Sequence, residues 1–332
     1  MSAALGAPFP VAAPYRVRAD LARLADERAV PRSVDAGPPT VFRDAADWPD
    51  LLGERLDALE AAPERVRAID PAVDPERLQL AADAIARRAA GEVPGRVRRD
   101  GAALVLPRLG LRVEPGGRLR REVGPDDTVD ERSRDRVLAL LAERPAALRA
   151  AEALALALDE DLVLLAAGAS GEGRVAWLHV CFPSGWDPGA MAAASFAQLH
   201  APVPGAAALL RAGPALVRAM LSKGPYVRYV WGLSPDGARS RHPDRACPMP
   251  AEHPLAEAWL RVERQTTLAL PEASLALFAI GVHVTPLRVA LSSAERRDAF
   301  AAAVASLGPA ERRYKGVPWS GEAVRDWCDA LP

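Results

Sequence analysis

The chain has 332 residues, half of them hydrophobic, enough for one large domain or two ordinary ones around a substantial core. Its 42 basic and 43 acidic residues leave a net charge of −1, which excludes the basic excess of a nucleic-acid or membrane-surface protein. No apolar run reaches the ~18 residues that a membrane span needs, and Met1 to Asp20 lacks the pattern of a signal peptide. Three widely separated cysteines, Cys181, Cys247 and Cys328, show no close metal-site spacing and suit a reducing, cytoplasmic setting.

In chain order, residues 1–45 are Pro-rich and weakly periodic and read as an irregular arm wrapping the surface. Asp50 to Ala61 reads as a helix. A second helix has Asp74 as N-cap, Pro75 in the first helical position, Glu76 at the positive end of the dipole and a stop at Gly91. Leu104 to Leu106 and Leu111 to Val113 read as short strands around a Pro107–Gly110 turn. A helical region spans Asp130 to Leu158 with an interruption near Pro145, and Leu162 to Ala166 reads as a strand. Ser170 to Gly173 is a glycine turn of hairpin type.

Val175 to Cys181 alternates with both side-chain sets apolar, the pattern of a strand buried on both faces. Pro183, Gly185 and Pro188 break regular structure. A small-residue helix, Ala190 to Leu199, then ends in His200 and the rigid Pro202-Val203-Pro204. Ala206 to Leu221 reads as a helix kinked at Pro214, Tyr226 to Leu233 as a strand, Arg239 to Pro250 as a loop and Glu252 to Arg261 as a short helix. Leu275 to Thr285 reads as a strand ended by Pro286, Ser292 to Leu307 as a helix capped by Ser292 or Ser293, and the tail as a turn and one more short helix. The class is α+β.

No Walker A loop, GxGxxG, HExxH or GxSxG is present. None of the five histidines is spaced from another as in a mononuclear metal site. His200 stands out because a helix end and a Pro-rich turn fix its backbone; the ordinary alternative is a core histidine. The run Arg261 to Thr267 is either a solvated helix end or a site in which a guanidinium holds an anion and Glu263 holds a cation or moves protons.

Six short pieces occur in one order: EDLVLL (Glu160 to Leu165), VCFPSGW (Val180 to Trp186), LHAPVP (Leu199 to Pro204), LRVERQT (Leu260 to Thr266), LALFAI (Leu275 to Ile280) and YKG (Tyr314 to Gly316). They resemble the haem-dependent oxidative N-demethylase family, formerly a domain of unknown function, over roughly residues 40–318. The resemblance implies a PAS-like antiparallel sheet core with surrounding helices, an arm at 1–45, a haem domain at 46–318 and a tail at 319–332. It implies haem b, with its iron on His200, in a subunit that works with reductase partners carrying flavin and iron–sulfur centres. With O2, such an enzyme demethylates a small secondary amine.

On this reading Arg228, Arg261 and Arg264 are the candidates for the haem propionates. Glu263, the catalytic candidate, lies near the substrate amine, with Trp186 or Trp231 as an aromatic face for its charge. Cys181 is the rival iron ligand, ranked below His200 because an apolar strand suits an inert thiol. A non-catalytic haem sensor and a haem-free descendant are the alternatives on the same fold. Three places depart from the family's usual pattern: Asp187 to Ala192 carries no Lys-Gly pair, Val230 precedes Trp231 where Asn is usual, and Gly281 follows Ile280 where an aromatic is usual.

Overall fold

From the N-terminus the arm contributes a short strand, β1 (Ala22–Arg23), and a 3-10 turn at Leu24–Ala29. A computed structural model describes residues 8–17, 19–29, 39–168, 171–244 and 248–331; the start of the arm, Ser170 of the glycine turn and Cys247 lie outside them. The arm does more than wrap the surface. Phe9, Val11, Leu24, Val41 and Phe42 are all buried.

Helix α1 (Trp48–Ala61) and strand β2 (Arg67–Ile69) lead into α2 (Pro75–Glu92), where the Asp74 carboxylate accepts the Glu76 amide at 2.9 Å. Four short strands, β3 (Arg98–Asp100), β4 (Ala103–Leu106), β5 (Leu111–Val113) and β6 (Leu119–Arg121), pair in sequence order as a separate antiparallel sheet. Only the middle two were legible, because Arg98–Asp100 and Leu119–Arg121 are polar edge strands. Helices α3 (Glu131–Ala142) and α4 (Arg149–Ala157) flank Pro145.

The remaining elements build the main sheet and its cover. They are strands β7 (Asp161–Ala167) and β8 (Gly173–His179), helices α5 (Phe196–His200) and α6 (Ala207–Ser222), and strands β9 (Tyr226–Ser234), β10 (Trp259–Leu270) and β11 (Leu275–Pro286). Helices α7 (Leu287–Ala290), α8 (Ala294–Ala305), α9 (Pro309–Lys315) and α10 (Gly321–Asp329) close the chain, with Ser293 capping α8. Among the described residues no helix is long and apolar enough to cross a membrane.

The main sheet runs β1-β9-β10-β11-β7-β8-β2, and its paired strands are antiparallel. β8 is interior, as its two apolar faces require. Counting from β7, its five long strands read second, first, fifth, fourth, third across the sheet.

Two expectations are corrected. Glu252 to Arg261 is not a helix: after a 3-10 turn at Leu255–Glu257 the chain is already strand from Trp259, paired on both sides by β9 and β11. Two ladders of backbone hydrogen bonds outweigh the helix preference of Glu, Ala and Leu there. The helix expected at Ala190 to Leu199 shrinks to Phe196–His200. The Ala193 and Ala194 backbones bond instead to Val175 of β8, at 3.1 and 2.9 Å, and Ala193 has φ 58°. Pro214 sits inside α6 without ending it.

Register fixes the two faces. Arg261 pairs with Gly232 and Val284, Glu263 with Val230 and Val282, and Gln265 with Arg228 and Ile280, so these share one face. Val262, Arg264 and Thr266 share the other with Tyr229, Trp231, Gly281 and His283. The second face backs onto the two larger hydrophobic clusters. The first carries a smaller cluster covered by α5 and α6, with Phe196, Leu199 and Val217 packed on Val163, Val175 and Leu178.

Candidate functional site

His200 is held from three directions. The Ser195 hydroxyl accepts the Gln198 amide and the Gln198 side chain accepts the Ser195 amide, which starts α5 at a defined residue. One turn later His200 Nδ1–H donates to the Phe196 carbonyl at 2.8 Å, and the two rings stack with centroids 4.1 Å apart. Gly213 of α6 allows this packing, since a Cβ there would lie 2.9 Å from the Phe196 ring. With Nδ1 as donor, Nε2 keeps its lone pair, and it has no partner among the described residues. Burial lowers the His200 pKa, the Phe196 carbonyl opposes and Arg228 lowers it further. The imidazole is therefore neutral at neutral pH, the form that binds a metal.

The three arginine candidates separate. Arg261 is fully used: it donates to Glu263 Oε1 at 2.7 Å, to the Phe182 carbonyl at 2.7 Å, to the Arg239 carbonyl and to Ser184 Oγ. It straps two loops to β10. Arg264 lies on the opposite face from His200, clamped by Glu27 at 2.6 and 3.1 Å and by the Val41 carbonyl at 3.2 Å. The structure does not bring Arg264 to the site. Arg228 does share the face of Glu263, close enough to act on His200, and among the described residues it has no hydrogen-bond or ion-pair partner. Burial pulls its pKa down, and Glu263 partly restores it.

Glu263 is buried, and desolvation alone would raise its pKa. Arg261, Ser184 and Gln265 together pull it below the usual carboxylate range. Oε1 accepts from Arg261 and Ser184, and Oε2 accepts from Gln265 at 2.6 Å. It is an anchored anion with its oxygens engaged. Trp186 is half-buried over the same apolar cluster as Phe196 and Leu199. Cys181 belongs to the cluster behind the sheet, and burial lifts its thiol well above the usual range. It is on the wrong side to compete with His200 and in the wrong protonation state.

Sequence reasoning missed Ser184 and Gln265, which complete the Glu263 anchorage, and Lys315. The Lys315 ammonium lies 4.8 Å from the Tyr15 ring and 5.1 Å from the Trp231 ring and donates to the Trp231 carbonyl. Burial brings its pKa down to about 8, against the opposing pull of Glu263. Its neighbours come from three distant segments, a juxtaposition without a local signal. Of the family departures, Val230 faces the site. Gly281 faces the other way, where a Cβ would sit 3.7 Å from Glu160 Cγ.

Glu160 is itself buried, with Oε1 accepting the Arg43 amide at 2.9 Å and Oε2 without a hydrogen-bond partner. Burial and then Asp159 raise its pKa to about 8. A carboxyl whose folded pKa is raised lowers stability progressively as pH rises from the unfolded value to the folded one. Glu160→Gln keeps the acceptor to Arg43 and removes the titration. The variant should match the native protein near pH 4.5 and exceed it at pH 8.5 by on the order of 2–4 kcal/mol, read as the difference in urea midpoints. An equal difference at both pH values would contradict this.

Among the described residues no three His, Cys, Asp or Glu side chains converge as a metal site. One oriented neutral imidazole, an apolar face and an uncommitted guanidinium fit a flat, anionic, metal-bearing cofactor that asks one ligand of the protein. The chain belongs to the haem-dependent oxidative N-demethylase, alpha subunit-like family, whose model matches residues 126–325. The matched stretch holds α3 through most of α10, and therefore every candidate above; α1, α2 and the small sheet precede it. No curated protein matches the chain.

Proposed function

We propose that this chain is the haem-binding, alpha-like subunit of an oxidative N-demethylase. Haem b would be held with its iron on His200 Nε2, beside the face that carries Arg228 and Glu263. The observation that carries the reading is His200: Nδ1–H bonded to Phe196, the ring neutral, and Nε2 unpartnered among the described residues. Bound haem iron supplies O2 activation and one-electron chemistry. The chain supplies the rest. Arg228 pairs with one propionate through a charge-assisted bond. Glu263, held as an anion by Arg261, Ser184 and Gln265, is the carboxylate offered to a protonated secondary amine, with Trp186 offering an aromatic face. The order of the five long strands supports the PAS-like assignment.

No flavin, nicotinamide or iron–sulfur motif is visible in the sequence, so electrons come from reductase partners. A cytoplasmic setting fits the cysteine usage. A second reading, a haem-binding sensor on the same fold, draws on one observation: the Glu263 oxygens are already engaged, so it is not poised to take up a proton.

Turnover separates the two. Haem-loaded chain, given an NADH-driven flavin and iron–sulfur reductase, O2 and dimethylamine, should release formaldehyde in proportion to amine consumed. Bound haem with no formaldehyde above the haem-free control would favour the sensor.

A further inference from the structure

We infer that the outer face of α6 is the docking surface for an acidic electron-donor protein. The inference builds on the proposed function, because an electron donor implies a redox centre behind the helix. Between Asp187 and Asp236 there is no Asp or Glu, in a chain that carries 43 acidic residues. That stretch holds α5 and α6, which cover the candidate site, and β9, which carries Arg228.

Arg211 and Arg218 on α6 and Lys223 just past its end are exposed, and among the described residues none has an ion-pair partner. Surface arginines elsewhere are commonly paired, as Arg87 is with Asp83, Arg98 with Asp126 and Arg112 with Asp100. Arg211 and Arg218 are seven residues apart, two turns of helix, and so lie on one stripe. Pro214 and Ala215 are exposed between them. Their small side chains let a partner approach the backbone closely.

The opposite stripe of α6 is buried. Val217 and Met220 belong to the cluster on the site's face of the sheet. A partner on the outer stripe is therefore separated from that face by about one helix diameter, ~10 Å. The transfer it serves is simple in balance: one electron leaves the partner's reduced centre, which is oxidised, and ferric iron becomes ferrous, with no bond made or broken.

Charge selects the partner's chemistry. Three unpaired cations, on a stretch with no acidic residue of its own, favour a negatively charged protein surface and speed its encounter. They are too few for a nucleic-acid backbone, where some 6–10 phosphate contacts are usual. The stripe also lacks the bulky apolar anchors of a membrane-bound helix.

The test uses the full chain, with and without haem, and a purified acidic [2Fe–2S] ferredoxin as probe, by calorimetry at low and high salt. Binding should weaken with salt, and the triple variant R211E/R218E/K223E should lose about tenfold or more in affinity. A control triple of the same charge change, R98E/R118E/R120E, should stay within about twofold, and circular dichroism should show both variants folded. No salt-sensitive binding to the native chain, or equal losses in the two triples, would overturn the inference. Binding is read without reference to haem content. A chain that shows this pattern yet takes up no haem would keep the docking face and refute the haem assignment.

Discussion

His200→Ala should abolish stable haem binding. Nε2 of His200 is an oriented imidazole nitrogen with no partner among the described residues, on the face that carries Arg228 and Glu263. Its orientation is built in layers: the Ser195–Gln198 capping box, the Phe196 carbonyl and the stacked Phe196 ring. Alanine keeps the backbone and removes the ligand, so the fold should survive with an unchanged far-ultraviolet spectrum. Affinity for haem should fall by at least about a hundredfold, roughly 3 kcal/mol or more. Added imidazole should restore part of the absorption by entering the vacated space. Phe196→Leu is the gentler companion: it keeps the carbonyl that orients Nδ1 and loses only the stack, so haem should remain bound more weakly. An Ala variant with full haem content and an unaltered spectrum would refute the ligand assignment.

Glu27→Ala should destabilise the fold by about 3–5 kcal/mol. Glu27 is fully buried and ties the arm to the sheet. Its Oε1 accepts from Arg264 at 2.6 Å and from the Tyr229 hydroxyl at 2.6 Å, and its Oε2 accepts from Arg43 at 2.9 Å. Removing it strands a guanidinium and a phenol inside the core, which costs far more than a surface ion pair is worth. The double variant E27A/R264M removes both charges and should recover much of the loss, because replacing a buried pair by apolar groups is close to neutral. Denaturant midpoints measure both. Limited proteolysis should cut the single variant in the arm first. A loss under 1 kcal/mol would show that the arm is not anchored through this pair.

The two variants also separate what the sequence made legible from what it did not. Caps and alternation are local, so Asp74, Ser293 and the doubly apolar β8 could be read from a few neighbours. The neighbours Glu263 and Arg264 illustrate the limit. Both looked like site residues within one polar run. Once that run is a strand, adjacent side chains must point to opposite faces, and only one of the two can meet His200. The choice is made by Glu27, 237 residues away in the chain. The same holds for Arg261, whose donors are taken by the Phe182 and Arg239 carbonyls of two separate loops. Of the three candidate arginines only Arg228 has no acceptor among the described residues, and that depends on the fold rather than on its neighbours in sequence. The alanine-rich stretch before His200 misled for another reason: helix propensity is a per-residue preference, whereas the backbones of Ala193 and Ala194 were claimed by Val175 across the sheet.

The central claim, a haem held through His200, is tested most directly by an absorption spectrum of the full chain produced with haem precursor, recorded oxidised, dithionite-reduced and under CO. The account predicts a Soret band at one haem per chain that shifts on reduction and again with CO, as a single protein ligand and an open iron position require. A flat visible spectrum from folded protein would contradict it, and His200 would then be an ordinary histidine stacked on Phe196.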